Sequence, residues 1–128
     1  KLKLDSRVRF IGNTRDVSKS LAAMNVFALP AIWREGFGLS LAEAMTCGRP
    51  TIATNIWALN TIVENGVNGI LVEPRSVSSL SEAILRLYRD PSLRKTLGEA
   101  GQRTAKERFS LERMTRELEK VYEEALRR

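Results

Sequence analysis

The sequence predicts an α/β domain built on a parallel sheet. Four short segments are rich in β-branched and aliphatic residues, as is typical of strands that are buried on both faces of a sheet. Amphipathic segments with helical periodicity separate them. This alternation favours parallel strands joined by right-handed crossovers. The 128 residues suit one domain, 1–128, without an internal linker or repeat.

The N-terminal half is expected to contain three strands and two helices. The strands are predicted at residues 7–11, 26–29 and 51–54. Asp16 can accept hydrogen bonds from the free amides of a first helical turn, which predicts a helix over 17–24. A second helix is predicted over 39–47. It ends before Pro50, because Gly48 suits a left-handed position and proline cannot continue a helix.

The C-terminal half is expected to be mostly helical. A turn or short helix at 59–64 precedes the fourth predicted strand at 69–72. An amphipathic helix is predicted over 77–89. Pro91 suits the first position of the next helix, and Ser110 can cap the last one.

The composition excludes several chemistries. With no His and one Cys, the chain has no imidazole metal ligand, no Ser–His or Cys–His pair and no internal disulfide. No apolar run approaches the roughly 18 residues that span a bilayer. The first residues lack the apolar core of a signal peptide. We therefore expect a reducing, cytoplasmic setting.

The net charge of +6 comes from 21 Lys and Arg against 15 Asp and Glu. Residues 1–20 carry six basic and two acidic groups, so +4 lies there. Aromatic residues are few and are not interleaved with basic ones, so no nucleic acid partner is expected. The basic N-terminal region can equally attract a phosphorylated small molecule or an anionic membrane surface.

Residues 30–50 carry the strongest chemical signal. Glu35-Gly36-Phe37-Gly38 joins the end of a predicted strand to a helix that starts near Leu39. A helix start presents free N–H groups and the positive end of the helix dipole, and therefore binds anions. Glu35 and Glu43 can bracket a ligand whose phosphate rests there. The pattern alone equally allows a glycine turn before an amphipathic helix, with Glu43 solvated.

The run EGFGLSLAEAM at 35–45, followed by GRPTIAT at 48–54, resembles the donor-binding segment of family-4 retaining glycosyltransferases. These enzymes are also called glycosyl transferases group 1 and have the two-domain GT-B fold. Their two glutamates, separated by seven intervening residues, are present, and VRFIG, VFALPA and ENGVNGILVEP agree as well. The resemblance implies a partial GT-B C-terminal domain, a truncated Rossmann-like parallel sheet of about four strands flanked by helices.

The resemblance implies a donor-sugar site around the first glutamate. Glu35 would be the catalytic residue, contacting hydroxyls of the sugar and shaping the place where the glycosidic bond breaks. Gly36, Phe37 and Gly38 would line the sugar with main chain. Such enzymes typically need no metal, so we expect neither a metal nor a cofactor besides the nucleotide diphosphate sugar.

The resemblance implies a nucleotide site around the second glutamate. Leu39 and Ser40 would donate backbone N–H groups to the diphosphate. Glu43 would hold the ribose hydroxyls. The loop near Ile11 and Gly12 would contact the base.

The sequence departs from the family in two respects. The loop after Thr54 usually reads Asp-Val-Gly-Gly-Ile-Pro-Glu, whereas here it is NIWALNT. Trp57 occupies part of the pocket, packs on a ligand ring or covers apolar surface, and we favour the last. The family's domain also starts about two strands earlier, in a part that holds the basic pair gripping the diphosphate. Arg34 is no clear replacement for that pair.

The missing strands are expected to leave the strand at 26–29 with an unpaired edge. Either residues 7–11 pair with it, or a homodimer or the missing remainder of the enzyme covers it. The predicted function is the donor-binding part of a retaining glycosyltransferase, inactive as an isolated chain, whose parent allows peripheral membrane contact. The alternatives are a non-catalytic, dimerising half-domain and a basic module that binds anions or nucleic acid.

Overall fold

The computed structural model describes residues 4–127 of the chain. Lys1 and Lys3, which belong to the predicted basic N-terminal region, lie outside the described residues. The helices are α1 Val17–Ala23, α2 Leu39–Thr46, α3 Leu59–Ile62, α4 Val77–Arg89, α5 Pro91–Arg108 and α6 Leu111–Leu126. The strands are β1 Phe27–Leu29, β2 Thr51–Thr54 and β3 Ile70–Val72.

The strands form a parallel sheet in the order β1–β2–β3, which confirms the predicted α/β class. Ala28 lies opposite Ile52, and Ala53 lies opposite Leu71. The central strand, β2, is buried along its whole length. Its residues alternate between two cores, because Ala53 packs with α2 and α3 whereas Ile52 packs with α4 and α5.

The predicted strand at residues 7–11 is wrong. These residues form no strand, so the sheet of residues 4–127 has three strands rather than about four. Phe10 is 94% exposed. A strand is stable only when a neighbour accepts and donates its backbone hydrogen bonds, and the described residues provide none here. The segment does not pair with β1 either, so one edge of β1 is free within the described chain.

Capping contacts confirm the predicted helix starts. Asp16 accepts from the Lys19 amide at 3.1 Å and caps α1. Hydrogen bonds from the Lys19 side chain, a neighbouring serine hydroxyl and this amide lower the pKa of Asp16. Pro91 opens α5, and Ser110 caps α6 by accepting from the Arg113 amide at 3.3 Å. Local sequence therefore sets where these helices begin.

Helix α5 packs closely against the end of α2. A Cβ atom at Gly98 would collide with the Gly48 carbonyl, so this approach requires glycine. The Gln102 side chain donates to the Thr46 carbonyl at 2.9 Å across the same contact. Met45 is fully buried on this side of α2. The contact with α5 fixes α2 on one side and leaves its opposite face accessible.

A buried amide side chain ties the loop before β3 to α5. The Asn68 side chain donates to the Ile62 carbonyl and to the Thr104 hydroxyl, both at 3.2 Å. Its oxygen accepts from the Glu64 amide at 2.8 Å. Thr51 is the opposite case, because its buried hydroxyl has no hydrogen-bond partner among residues 4–127.

We expect Asn68→Ala to lower the free energy of unfolding by about 1–3 kcal/mol, because it leaves buried backbone groups without partners. Thr51→Val is the matched control, since a methyl group replaces an unpaired hydroxyl of similar size. Its free energy of unfolding should stay the same or rise by up to about 1 kcal/mol. Urea denaturation followed by circular dichroism measures both. Equal losses in the two variants would contradict this account.

Candidate functional site

Loops leave β1 and β2 at the carboxyl end of the sheet, because parallel strands end on the same side. The loop after β1 continues to Gly38, and the loop after β2 continues to Ala58. The Thr54 hydroxyl at the end of β2 donates to the Ala31 carbonyl at 2.6 Å and joins the two loops. Ligands of open α/β sheets bind at the carboxyl ends of the strands.

The entry into α2 depends on a left-handed turn at Gly38. Its φ is +89°, and an added Cβ atom would lie 2.5 Å from Cδ2 of Leu59. The Phe37 ring packs edge-on against Phe109, with 5.3 Å between the centroids and 85° between the planes. Because Phe109 ends α5, this aromatic contact anchors the turn to the helix behind it.

Two backbone amides at the start of α2 find no partner among the described residues. The amides of Leu41 and Ala42 donate to the Gly38 carbonyl at 3.0 and 3.2 Å. Within residues 4–127, the amides of Leu39 and Ser40 have no protein acceptor, and no side chain caps the helix. Unpaired N–H groups at the positive end of a helix form an anion site. The structure therefore has the feature that the predicted diphosphate contact requires.

Glu35 is half-buried in the wall of an open depression. This Glu35 depression has a volume of about 410 Å³, and its other lining residues are Arg34, Gly36 and Trp57. The folded chain thus brings the first motif glutamate together with a residue from the loop after β2. The depression offers a hydrogen-bond acceptor, a donor and an aromatic surface.

Glu43 is exposed on the accessible face of α2. It borders a depression of about 230 Å³ beside Leu21 of α1 and another of about 510 Å³ beside Phe109 and Met114. Glu35 lines neither of them. Glu35 precedes the start of α2 and Glu43 follows it. The two glutamates therefore line different depressions.

Ile11 and Gly12, the predicted base-binding residues, lie in the irregular segment before α1. Ile11 is exposed, and Gly12 has a φ of +66° with open space where a Cβ atom would be. The contact of this segment with a base stays a prediction.

Trp57 does not pack as the sequence suggested. It is 67% exposed, so most of its ring covers no apolar surface. Ala58, which follows it, is buried with φ +75° and ψ −52°. This conformation strains a non-glycine residue by about 1–3 kcal/mol. The Thr61 hydroxyl donates to the Ala58 carbonyl at 2.6 Å and helps to hold it.

Sequence reasoning missed the residues that α5 brings to the site. Arg108 donates to the Thr61 carbonyl at 2.9 Å, and its guanidinium lies 5.1 Å from the centroid of the Phe109 ring. No local pattern connects these residues with the motif. Their contacts arise only because α5 packs against α2.

Comparison with known proteins decides the family. A family model described as "Glycosyl transferases group 1" matches residues 1–104. The chain belongs to the glycosyl transferases group 1 family. The resemblance expected from the two-glutamate run is thereby confirmed.

Relatives and solved structures agree with this membership. The chain is 34% identical over 127 residues to the D-inositol 3-phosphate glycosyltransferase of Salinispora tropica, covering 98% of this chain and 26% of that protein. Sucrose-phosphate synthase from Thermosynechococcus elongatus matches with a TM-score of 0.90 and 32% identity, over 96% of this chain and 31% of that one. The Anabaena protein HepE, solved with UDP-glucose, matches with a TM-score of 0.90 and 29% identity, over 94% and 33%. The chain, as a member of the glycosyl transferases group 1 family, thus has the architecture of one part of a GT-B enzyme.

The chain spans about a quarter to a third of the length of the curated glycosyl transferases that it matches. Between residues 4 and 127, no helix has both the length and the apolar character needed to cross a membrane. The same part of the chain groups no three Asp, Glu or Cys side chains in a way that could hold a metal ion. The expectation that the family member needs no metal stays a prediction.

We expect Gly38→Ala to destabilise the chain by about 2–4 kcal/mol, because the left-handed backbone and the overlap with Leu59 both cost free energy. Gly36→Ala is the matched control. Gly36 has no left-handed φ, and nothing lies within 4 Å of an added Cβ atom. The control should change the free energy of unfolding by less than about 0.5 kcal/mol. Urea denaturation distinguishes the two, and an unaffected Gly38→Ala variant would contradict the role of the turn.

Proposed function

We propose that the chain is the donor-binding part of a retaining glycosyltransferase, which moves a sugar from a nucleoside diphosphate sugar to an acceptor hydroxyl. The observation that carries the proposal is the pair of free amides at residues 39 and 40, placed between Glu35 and Glu43. Family membership supports it. A similar protein solved with UDP-glucose supports the class of donor.

The nucleotide binds along the accessible face of α2 in this proposal. The two free amides donate to phosphate oxygens, and the positive end of the helix dipole favours their charge. The Glu43 carboxylate accepts from two adjacent ribose hydroxyls through its two oxygens. We place the base near Ile11 and Gly12, which precede α1, because α1 borders a depression beside Glu43.

The transfer step breaks the bond between the anomeric carbon and the terminal phosphate oxygen. A bond to the acceptor oxygen forms with retention of configuration, and the acceptor proton passes to the phosphate oxygen that leaves the sugar. Negative charge grows on the departing nucleoside diphosphate. N–H groups that are already oriented stabilise this charge without rearrangement, so the proposal needs no metal. Glu35 contacts the sugar hydroxyls and shapes the place where the bond breaks.

The chain alone is proposed not to transfer sugar. It spans about a quarter to a third of its relatives, and catalysis needs both walls of a closed cleft. The acceptor site and further phosphate contacts would come from the rest of a longer protein. A cytoplasmic setting, and peripheral contact of that protein with an anionic membrane through the basic N-terminal region, belong to the same proposal.

We expect Glu43→Ala to weaken the binding of UDP or GDP by about 10- to 100-fold, because hydrogen bonds to a charged group contribute about 1.5–3 kcal/mol. Glu82→Ala is the matched control, since it removes an exposed glutamate from α4 rather than from α2. Isothermal titration calorimetry measures both affinities, and the control should leave them unchanged.

Equal binding by the two variants would contradict the ribose contact. If the unaltered chain bound neither UDP nor GDP at millimolar concentration, the nucleotide site would be refuted and a non-catalytic half-domain favoured. Binding of duplex DNA that weakens steeply with salt would favour the basic module, and we expect no such binding.

The free edge of β1 supports a homodimer as part of the proposal. Phe27 donates to the Pro50 carbonyl at 3.0 Å, so its backbone faces β2. Backbone groups of a parallel strand alternate in direction, so the N–H and C=O groups of Ala28 face the free edge. An unpaired edge of this kind is a template for pairing with a second copy.

We expect sedimentation equilibrium at high micromolar concentration to give a dimer of the 14.4 kDa chain. Ala28→Pro should give a monomer, because proline removes the N–H group at the free edge and leaves the ladder to β2 intact. A monomeric unaltered chain, or a dimer that Ala28→Pro does not weaken, would count against pairing through β1.

A further inference from the structure

The loop after β2 presents an indole ring that the proposed function does not use. Trp57 is 67% exposed, whereas Ile56 of the same loop and Leu59, the first residue of α3, pack into the core. It lines the Glu35 depression together with the first motif glutamate. Indole rings are enriched at binding interfaces, because each combines a large apolar face with one N–H donor.

Hydrogen bonds on both sides hold this loop in place. The Asn55 amide donates to the Val72 carbonyl at 2.8 Å, and the Asn60 side chain donates to the Asn55 side chain at 3.1 Å. The Thr61 amide and hydroxyl both donate to the Ala58 carbonyl, at 3.1 and 2.6 Å. The strained φ of Ala58 persists because these contacts determine it. A ring presented on a fixed loop loses little freedom when it binds a ligand.

The Glu35 depression combines groups that match a sugar. The Trp57 indole supplies an apolar face, the Glu35 carboxylate accepts hydrogen bonds and the Arg34 guanidinium donates them. A pyranose ring has the complementary surface, with C–H groups on one face and hydroxyls around its rim. Gly36 has no side chain, so the sugar can approach the backbone there.

We propose that Trp57 is a specificity-determining residue, whose ring stacks on the C–H face of the transferred pyranose while Glu35 and Arg34 bind its hydroxyls. The inference rests on the proposed donor site and names its sugar-recognition surface. It favours a pyranose with an uninterrupted C–H face, such as glucose, over one with an axial hydroxyl on that face.

Calorimetry of the full chain with UDP-glucose and UDP, and with GDP-glucose and GDP, tests the proposal. For each base, the dissociation constant of the diphosphate divided by that of its glucose derivative measures what the sugar contributes to binding. Trp57→Ala should reduce this ratio about 3- to 10-fold, as expected for an aromatic contact, and leave the affinity for the diphosphate unchanged. Trp57→Phe keeps a ring and should keep most of the ratio.

Trp33→Ala is the matched control. Trp33 is 71% exposed, and it does not line the Glu35 depression. Its removal should leave the affinities for UDP and UDP-glucose, and therefore their ratio, unchanged. A reduced ratio in this control as large as that in Trp57→Ala would overturn the assignment to Trp57.

Fluorescence gives a readout that is independent of affinity, because the chain has two tryptophans. In Trp33→Phe the remaining indole is Trp57, and UDP-glucose should protect it from acrylamide quenching whereas UDP should not. In Trp57→Phe the remaining Trp33 should stay equally accessible with either ligand.

An unchanged ratio in Trp57→Ala, or no protection of Trp57, would overturn the inference while nucleotide binding still supported the donor site. Tighter binding of UDP-glucose by Trp57→Ala would also overturn it, because the indole would then obstruct the sugar. Binding of no nucleotide by the unaltered chain would remove the donor site and the inference together. Circular dichroism and the urea midpoint check that each variant folds.

Discussion

At Gly38 the backbone turns through a φ of +89°, and the Leu59 side chain fills the space where a Cβ atom would lie. Within the part of the chain that the structure describes, no side chain caps α2 there and its first two amides have no acceptor. The same turn places Glu35 before the helix start and Glu43 on its accessible face. The uncapped helix start and its position between the two carboxylates therefore follow from one backbone conformation, which Leu59 of α3 supports by packing.

Free amides at a helix start can bind an anion well only if the helix is held in place. The packing on the opposite side of α2 fixes its position. The close approach of Gly98 to Gly48 and the bond from Gln102 to the Thr46 carbonyl hold its far end. The edge-on contact of Phe37 with Phe109 holds the near end. Oriented N–H groups stabilise charge best when they need no rearrangement. The apolar core and the chemistry of the site are thus parts of one arrangement.

The sequence predicted most helices and three strands well, since the signals for them are local. Caps such as Asp16 and Ser110 lie next to the helices that they start, and short apolar runs mark buried strands. Residues 7–11 carry the same kind of run, yet they form no strand, because pairing requires a neighbour that local sequence does not supply. The exposure of Trp57 could not be predicted either, since it follows from how its loop is held against β3 and α3.

The sequence by itself determined the order of the elements from α1 onward, the family and the turn that begins α2, because periodicity, caps and the two-glutamate run are properties of contiguous residues. Only the tertiary structure decided which groups meet. It placed Trp57 beside Glu35, brought Phe109 to Phe37 and left one edge of β1 free within the described residues. Those outcomes depend on which segments, distant in the sequence, contact one another in the fold. Such contacts, rather than local preference, set burial and strand pairing.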